Sequence, residues 1–227
     1  MIGPRETWGQ ETGGLRHRPR IVLPRLYAIV DFGCFAGTEN VTAELVRFTD
    51  ELLAGGATLI QYRNKQGDAR EMLAQARELR RVCGTKARLI MNDRADLCLA
   101  AAYEGVHVGQ EDLSPEGARA IVGDRLWVGV STHSIEQLRA ADRSPSDYLA
   151  IGPVFATSSK EHPDPVVGLE GVKAARAATR TPLVAIGGIT QASCRSVIDA
   201  GADAVAVISD LLQSPRKSVE EFLRILG

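Results

Sequence analysis

The chain has 227 residues, 44% of them hydrophobic and 24% charged, which is enough for one sizeable globular core. Its formal net charge of −1 excludes a general polyanion binder, since no basic excess exists to draw nucleic acid in, and any anion site has to be local. No apolar run approaches the roughly 20 residues of a membrane helix, so no membrane partner is expected.

The first stretch, MIGPRETWGQETGGLRHRPR (1–20), carries Gly, Pro and charge without an apolar h-region, so it reads as a mobile tail and not as a secretory signal. The folded domain is expected over 21–227. RLYAIVD is the first strand pattern, and TAELVRFTDELLAGG after it reads as an amphipathic helix with a glycine stop. Next comes LIQYRNKQGD, which begins as a buried strand and then fills with polar groups. Strand side chains alternate, so Gln61, Arg63 and Lys65 share one face while Tyr62 and Asn64 take the other. A row of amide, guanidinium and ammonium is either a grip for an anion or the solvated face of an edge strand. DAREMLAQARELRRVCG is the second helix pattern, and RLIMND, GVHVG, LWVGVS, YLAIG, PLVAIG and AVAVIS complete the strands. Helix patterns separate them, among them RADLCLAAA, SPEGARAIVG with Ser114 as N-cap and Pro115 at N1, SIEQLRAADR, LEGVKAARAAT and QASCRSVIDAG; KSVEEFLRILG closes the chain.

Strands alternating with helices imply parallel pairing, because parallel neighbours need crossover connections. An open doubly wound sheet and a closed (β/α)8 barrel compete. Eight strand–helix units suit a compact barrel, and no Gly-x-Gly-x-x-Gly turn follows the first strand, so the barrel is expected.

In a barrel, function gathers at the C-terminal ends of the strands. Here strand two ends in Gln61, Arg63 and Lys65, strand three in Asn92 and Asp93, and strand four runs out to Asp112. Strand five ends at Ser131, strand six leads into FATSSK, strand seven ends in Gly187-Gly188, and strand eight at Ile208-Ser209. Asp93 alone could be a helix cap; so many polar endings at one mouth read as a site. Asp93 and Asp112, from adjacent strands, would face each other, and two close carboxylates resist joint ionisation unless a cation lies between them. Hard oxygen donors from two residues, with room for water and phosphate, suit Mg²⁺. Arg63, Lys65 and Lys160 add cationic donors, and metal plus cations fits a diphosphate. The Gly187-Gly188 turn and the end of strand eight offer backbone N–H groups for a second phosphate. The partners are therefore small phosphorylated molecules. Cys34, Cys83, Cys98 and Cys194 have no Cys-x-x-Cys spacing and read as reduced thiols of a cytoplasmic protein. The four histidines are dispersed and predict no transition metal.

LYAIVD, QYRNK, NDRADLCLAA, GVHVGQEDL, GVSTHS, DYLAIGPVFATSSK, GLEGV, PLVAIGGI and GADAVAVIS, in this order from about Leu23 to Ser209, resemble the thiamine-phosphate synthase family. The resemblance implies a (β/α)8 barrel that joins 4-amino-5-hydroxymethyl-2-methylpyrimidine diphosphate to a thiazole phosphate, releasing pyrophosphate. By position it assigns the pyrimidine diphosphate to Gln61, Tyr62, Arg63, Asn64, Lys65, Asn92, Ser131 and Lys160, and Mg²⁺ to Asp93 and Asp112. It assigns the thiazole phosphate to Thr157, Ser158, Ser159, Gly188, Ile208 and Ser209, with Arg63, Lys65 and Lys160 stabilising the leaving group. It implies a dissociative step: the diphosphate leaves, and the thiazole nitrogen captures a pyrimidine methylene cation. Relatives are often dimers, so a homo-oligomer is possible. One departure stands out. The family usually has Thr-x-Thr-Lys where this chain has Thr157-Ser158-Ser159-Lys160, so a hydroxyl is kept and a methyl lost. His162 in the following loop reads as a solvated residue. Two other readings compete: a thiazole tautomerase on the same barrel, with His133 as its proton carrier, and a non-catalytic sensor of phosphorylated ligands.

Overall fold

The computed structural model describes residues 21–157 and 164–227. The expected tail therefore lies outside the described residues, as do Ser158, Ser159, Lys160 and His162. The strands are β1 Leu26–Asp31, β2 Leu59–Arg63, β3 Arg88–Asn92, β4 Gly105–Val108, β5 Trp127–Thr132, β6 Tyr148–Ile151, β7 Leu183–Ile186 and β8 Ala204–Val207. They pair in parallel in sequence order, and β8 returns to β1, closing the barrel. The helices are α1 Val41–Ala54, α2 Ala69–Cys83, α3 Ala95–Ala100, α4 Pro115–Val122, α5 Ile135–Asp142, α6 Gly168–Ala178, α7 Cys194–Asp199 and α8 Pro215–Leu226. Among the described residues none is long and apolar enough to cross a membrane.

Local signals explain the boundaries. Asn40, Asp68, Ser114 and Ser134 each accept the N–H three residues on and start α1, α2, α4 and α5. Asp93 is not the cap of α3: Arg94 holds that position without a side-chain bond, which leaves the Asp93 carboxylate to the mouth. The strand pleat then sorts side chains into two cores. Residues such as Val30, Leu89, Val106 and Leu183 pack outward under the helices. Tyr27, Ile29, Leu59, Ile90, Tyr148, Val184 and Ala204 fill the barrel interior.

The bottom of the barrel, at the N-terminal ends of the strands, carries a repeated clasp. Glu104, Asp147 and Asp203 stand one residue before β4, β6 and β8, and each accepts an N–H from the preceding odd strand: Leu89 at 2.7 Å, Val128 at 2.7 Å and Leu183 at 2.8 Å. Each also holds an arginine from the last turn of α2, α4 or α6, namely Arg80 at 2.5 Å, Arg119 at 2.5 Å and Arg176 at 2.9 Å. The same guanidiniums donate to Gly84 O, Gly123 O and Thr179 O, capping their own helices. Ahead of β2 the equivalent residue is Thr58, which has no carboxylate to offer.

Candidate active site

At the opposite end the charges are arranged to meet something outside the chain. Lys65, just past β2, places its ammonium 2.5 Å from Asp93 Oδ2 and 3.6 Å from Asp112 Oδ1, so two adjacent strand ends and a lysine converge as their order suggests. Asp93 is held in the left-handed region (φ 61°), which an Asp tolerates better than most residues, and its N–H donates to His107 O. Asp112 Oδ2 accepts the Gly109 N–H at 2.9 Å. Burial, reinforced by the neighbouring Asp112, pushes the Asp93 carboxyl up to about 6, although the Lys65 ammonium opposes the rise. Burial would raise Asp112 as well; its hydrogen bonds with Asp93 and Gly109, together with Lys65, bring it below the ordinary range. Two crowded carboxylates split in this way are a poor resting pair and a good donor set for a hard divalent cation. Among the described residues no third His, Cys, Asp or Glu joins them, so the remaining ligands of such an ion would be water and phosphate oxygens.

Arg63 closes the same side. Its Nη1 donates to Asp31 Oδ2 at 2.5 Å, and Asp31 Oδ1 accepts the Gly33 N–H. Asp31 is a site neighbour that the strand endings from the second to the eighth omit; the acidic end of LYAIVD is the signal that finds it. Asn92, on β3, is buried, and its Nδ2 has no hydrogen-bond partner among the described residues. An amide left so is a costly group unless a ligand or solvent satisfies it.

Two members of the expected grip face elsewhere. Tyr62 is fully buried on the helix side of the sheet, where its hydroxyl donates to Gln75 of α2. Asn64 also reaches Gln75, and its Oδ1 accepts the N–H groups of Gln66 and Gly67, which shapes the loop. Their side chains do not line the mouth because the pleat that turns Gln61 and Arg63 inward turns them outward.

Beneath the mouth runs a feature the sequence did not announce. Gln61 Nε2 donates to Tyr27 Oη at 2.8 Å, and that oxygen lies 3.0 Å from Tyr148 Oη. Tyr148 Oη is 3.0 Å from His107 Nδ1, and His107 Nε2 is 2.8 Å from Ser131 Oγ. Five side chains from β2, β1, β6, β4 and β5 thus form one line across the interior. Burial lowers His107 to about 4 and lifts both tyrosine hydroxyls well above their ordinary range, so all three are neutral at pH 7.

The far wall holds the remaining candidates. Gly188 adopts φ +63°, and a Cβ there would lie 2.5 Å from Ala156 O, so the turn after β7 presses on the chain beyond β6 as only glycine allows. Thr157 is half-buried at the end of that same segment. Ile208 packs on the interior cluster, and exposed Ser209 begins a short 3-10 turn. His133 lies just beyond β5, with Nδ1 2.6 Å from Gly152 O and 3.4 Å from Asp164 Oδ2. Cys83, Cys98 and Cys194 are buried, Cys34 is exposed, and none is in a disulfide.

A family model described as thiamine monophosphate synthase matches residues 26–211. The chain is 63% identical over 204 residues to a protein of Koribacter versatilis named thiamine-phosphate synthase, covering 90% of this chain and 96% of that one. It is 42% identical over 192 residues to the protein of the same name from Chloroflexus aurantiacus, covering 83% and 85%. Among solved structures, the thiamine phosphate pyrophosphorylase of Pyrococcus furiosus superposes with a TM-score of 0.78 at 36% identity, over 89% of this chain and 95% of that one.

Proposed function

The chain belongs to the thiamine monophosphate synthase family, and from that membership and the chemistry of the mouth we propose how this enzyme works. It joins 4-amino-5-hydroxymethyl-2-methylpyrimidine diphosphate to 4-methyl-5-(2-phosphoethyl)thiazole, or its carboxylated form, and releases thiamine phosphate and pyrophosphate. The observation that carries this reading is the cluster of Arg63, Lys65, Asp93 and Asp112 beside the unpartnered amide of Asn92. Cations and carboxylates interleaved in this way suit a diphosphate that arrives with a divalent metal; a lone phosphate would leave the carboxylates repelling it.

Asp93 and Asp112 would hold Mg²⁺, which when bound neutralises charge on the diphosphate and helps it leave. Arg63, steadied by Asp31, and Lys65 carry the rest of that task as the C–O bond breaks, with Lys160 from the segment after β6. Gln61, Asn92 and Ser131 orient the pyrimidine ring from below. Gly188, Ile208, Ser209 and the Thr157–Ser159 stretch hold the thiazole phosphate so that the ring nitrogen stands behind the departing group. No side chain has to remove a proton in this step.

The test is direct. Purified protein, both phosphorylated substrates and Mg²⁺ should yield thiamine phosphate and pyrophosphate in equal amounts. Isomerisation of the thiazole without coupling would establish the tautomerase reading instead, and binding of both substrates without any turnover would establish the sensor.

A further inference from the structure

The two cations that follow one another at the end of β2 are held in different ways. Arg63 pairs in register with Asp31, whose buried carboxylate takes its Nη1 at 2.5 Å and the Gly33 N–H at 3.0 Å. Lys65 instead rests on the pair read above as ligands of a divalent cation. Its ammonium is 2.5 Å from Asp93 Oδ2 and 3.6 Å from Asp112 Oδ1.

Those are the oxygens a bridging ion would need. Asp112 Oδ2 already accepts the Gly109 N–H at 2.9 Å, so the backbone settles which Asp112 oxygen turns toward Asp93. Asp93 is fixed through its own backbone, by φ 61° and by the bond from its N–H to His107 O. A Mg²⁺ ion shared by Asp93 Oδ2 and Asp112 Oδ1 stands about 2.0–2.1 Å from each. The Lys65 ammonium lies on the same side of both oxygens, so it and the ion exclude each other, and the ion's double charge repels it.

Of the three groups the lysine is the one able to move. Its side chain is 47% exposed, against 16% for Asp93 and 23% for Asp112. The chain around it is held, because Asn64 Oδ1 accepts the N–H groups of Gln66 and Gly67. Movement therefore falls to the flexible four-carbon stem.

We propose that Lys65 serves two partners in turn: it neutralises Asp93 and Asp112 until they take a divalent cation, then yields their oxygens and turns its charge to the diphosphate. Arg63 grips at all times, whereas the grip of Lys65 is conditional on the cation. A diphosphate arriving alone meets two carboxylates that keep Lys65 engaged, so the mouth favours one that comes with its metal or after it. This inference rests on the metal reading above and adds to it the coupling between the two ligands.

Mn²⁺ titration of substrate-free protein at pH 8, followed by electron paramagnetic resonance, tests the competition. A lysine that occupies these oxygens about nine-tenths of the time or more lowers the apparent affinity at least about tenfold. Lys65→Met should therefore bind Mn²⁺ at least about tenfold more tightly than the parent; a smaller gain, or none, would overturn the proposal. Crystals separate displacement from a general effect of charge. With Mn²⁺ on Asp93 and Asp112, Lys65 Nζ should stand more than about 4 Å from Asp93 Oδ2, beyond ion-pair distance. With pyrophosphate added, it should lie within about 3.2 Å of a phosphate oxygen. An ammonium still seated on Asp93 beside bound Mn²⁺ would refute the exchange and leave the metal reading intact. A parent protein that binds no Mn²⁺ would sink the metal reading itself, and this inference with it.

Discussion

At the metal site proposed above, Asp93 should make cation binding sensitive to pH in a range where an ordinary aspartate is silent. Its carboxyl is pushed up to about 6 by burial and by Asp112, so a proton competes with the metal below that value. With one competing proton, apparent affinity falls by 1 + 10^(pKa−pH), which is about elevenfold at pH 5 for a pKa near 6 and about 1.1-fold for an unperturbed Asp. The assay is Mn²⁺ binding followed by electron paramagnetic resonance on substrate-free protein, because the substrate's own phosphates titrate in the same range. Affinity should be flat from pH 8 to 7 and drop about tenfold between pH 7 and 5. Lys65→Met should move the inflection upward, since the ammonium is what restrains the rise. The stability of the metal-free protein follows the same proton. The folded pKa lies above the unfolded one, so Asp93's favourable contribution is complete below about pH 4 and lost as pH rises through about 6, and added cation should restore it. Flat Mn²⁺ affinity from pH 8 to 5 would refute both the raised carboxyl and its role as a ligand.

Lys160→Ala should cost roughly 2–4 kcal/mol of transition-state stabilisation, two to three decades in kcat, with little change in the KM for the thiazole phosphate; a tenfold or smaller loss removes Lys160 from the leaving group. His133→Ala should keep at least about a tenth of the coupling rate, a loss of no more than about 1.4 kcal/mol, because the ring's Nδ1 is engaged with Gly152 O. A fall of about 10²–10⁴ in a folded variant would instead mark His133 as a proton carrier. Arg119→Ala takes the guanidinium from Asp147, which keeps the Val128 N–H, and takes donors from the carbonyls of Gly123, Leu126 and Pro145, so it should cost about 3–5 kcal/mol, seen as a melting point lower by about 6–20 °C. Arg224→Ala, at an exposed pair with Glu221, should shift the melting point by less than about 3 °C; equal shifts would deny any special weight to the clasp.

The barrel was legible in the sequence because its eight strands alternate with helices whose caps are local. Ser114-Pro115 and Asp68 sit three residues from the N–H groups they meet or precede, so the chain announces those boundaries within a few residues. The Asp93–Lys65–Asp112 cluster was legible for a related reason: each residue ends a strand, and the topology brings strand ends together. The line through Tyr27, Tyr148 and His107 was not. Tyrosine in a strand has the same pattern as core, and its partner lies 121 positions away across the barrel. Tyr62 and Asn64 show the reverse: the alternation correctly turned them from Gln61 and Arg63, whereas transfer of a whole family stretch put them in the grip. The clasps were missed because an arginine near a helix end has an ordinary reading as a charge opposite the helix dipole.

Those clasps also divide the chain into segments. They bridge Arg80 to Glu104, Arg119 to Asp147 and Arg176 to Asp203, so the loops that leave β4 and β6 fall between clasps, the one that leaves β8 lies beyond the last, and the connections after β3, β5 and β7 fall within them. Lengthening or exchanging the stretch after β4 or β6 therefore crosses none of the three ties, whereas an insertion after β3 or β5 enlarges a closed loop of the scaffold. The mouth is thus built from two kinds of border, one held and one open to redesign, and the open kind is found after β4, where Asp112 stands, and after β6. A barrel of this plan can change what it grips at those two places while the end that keeps it closed stays as it is.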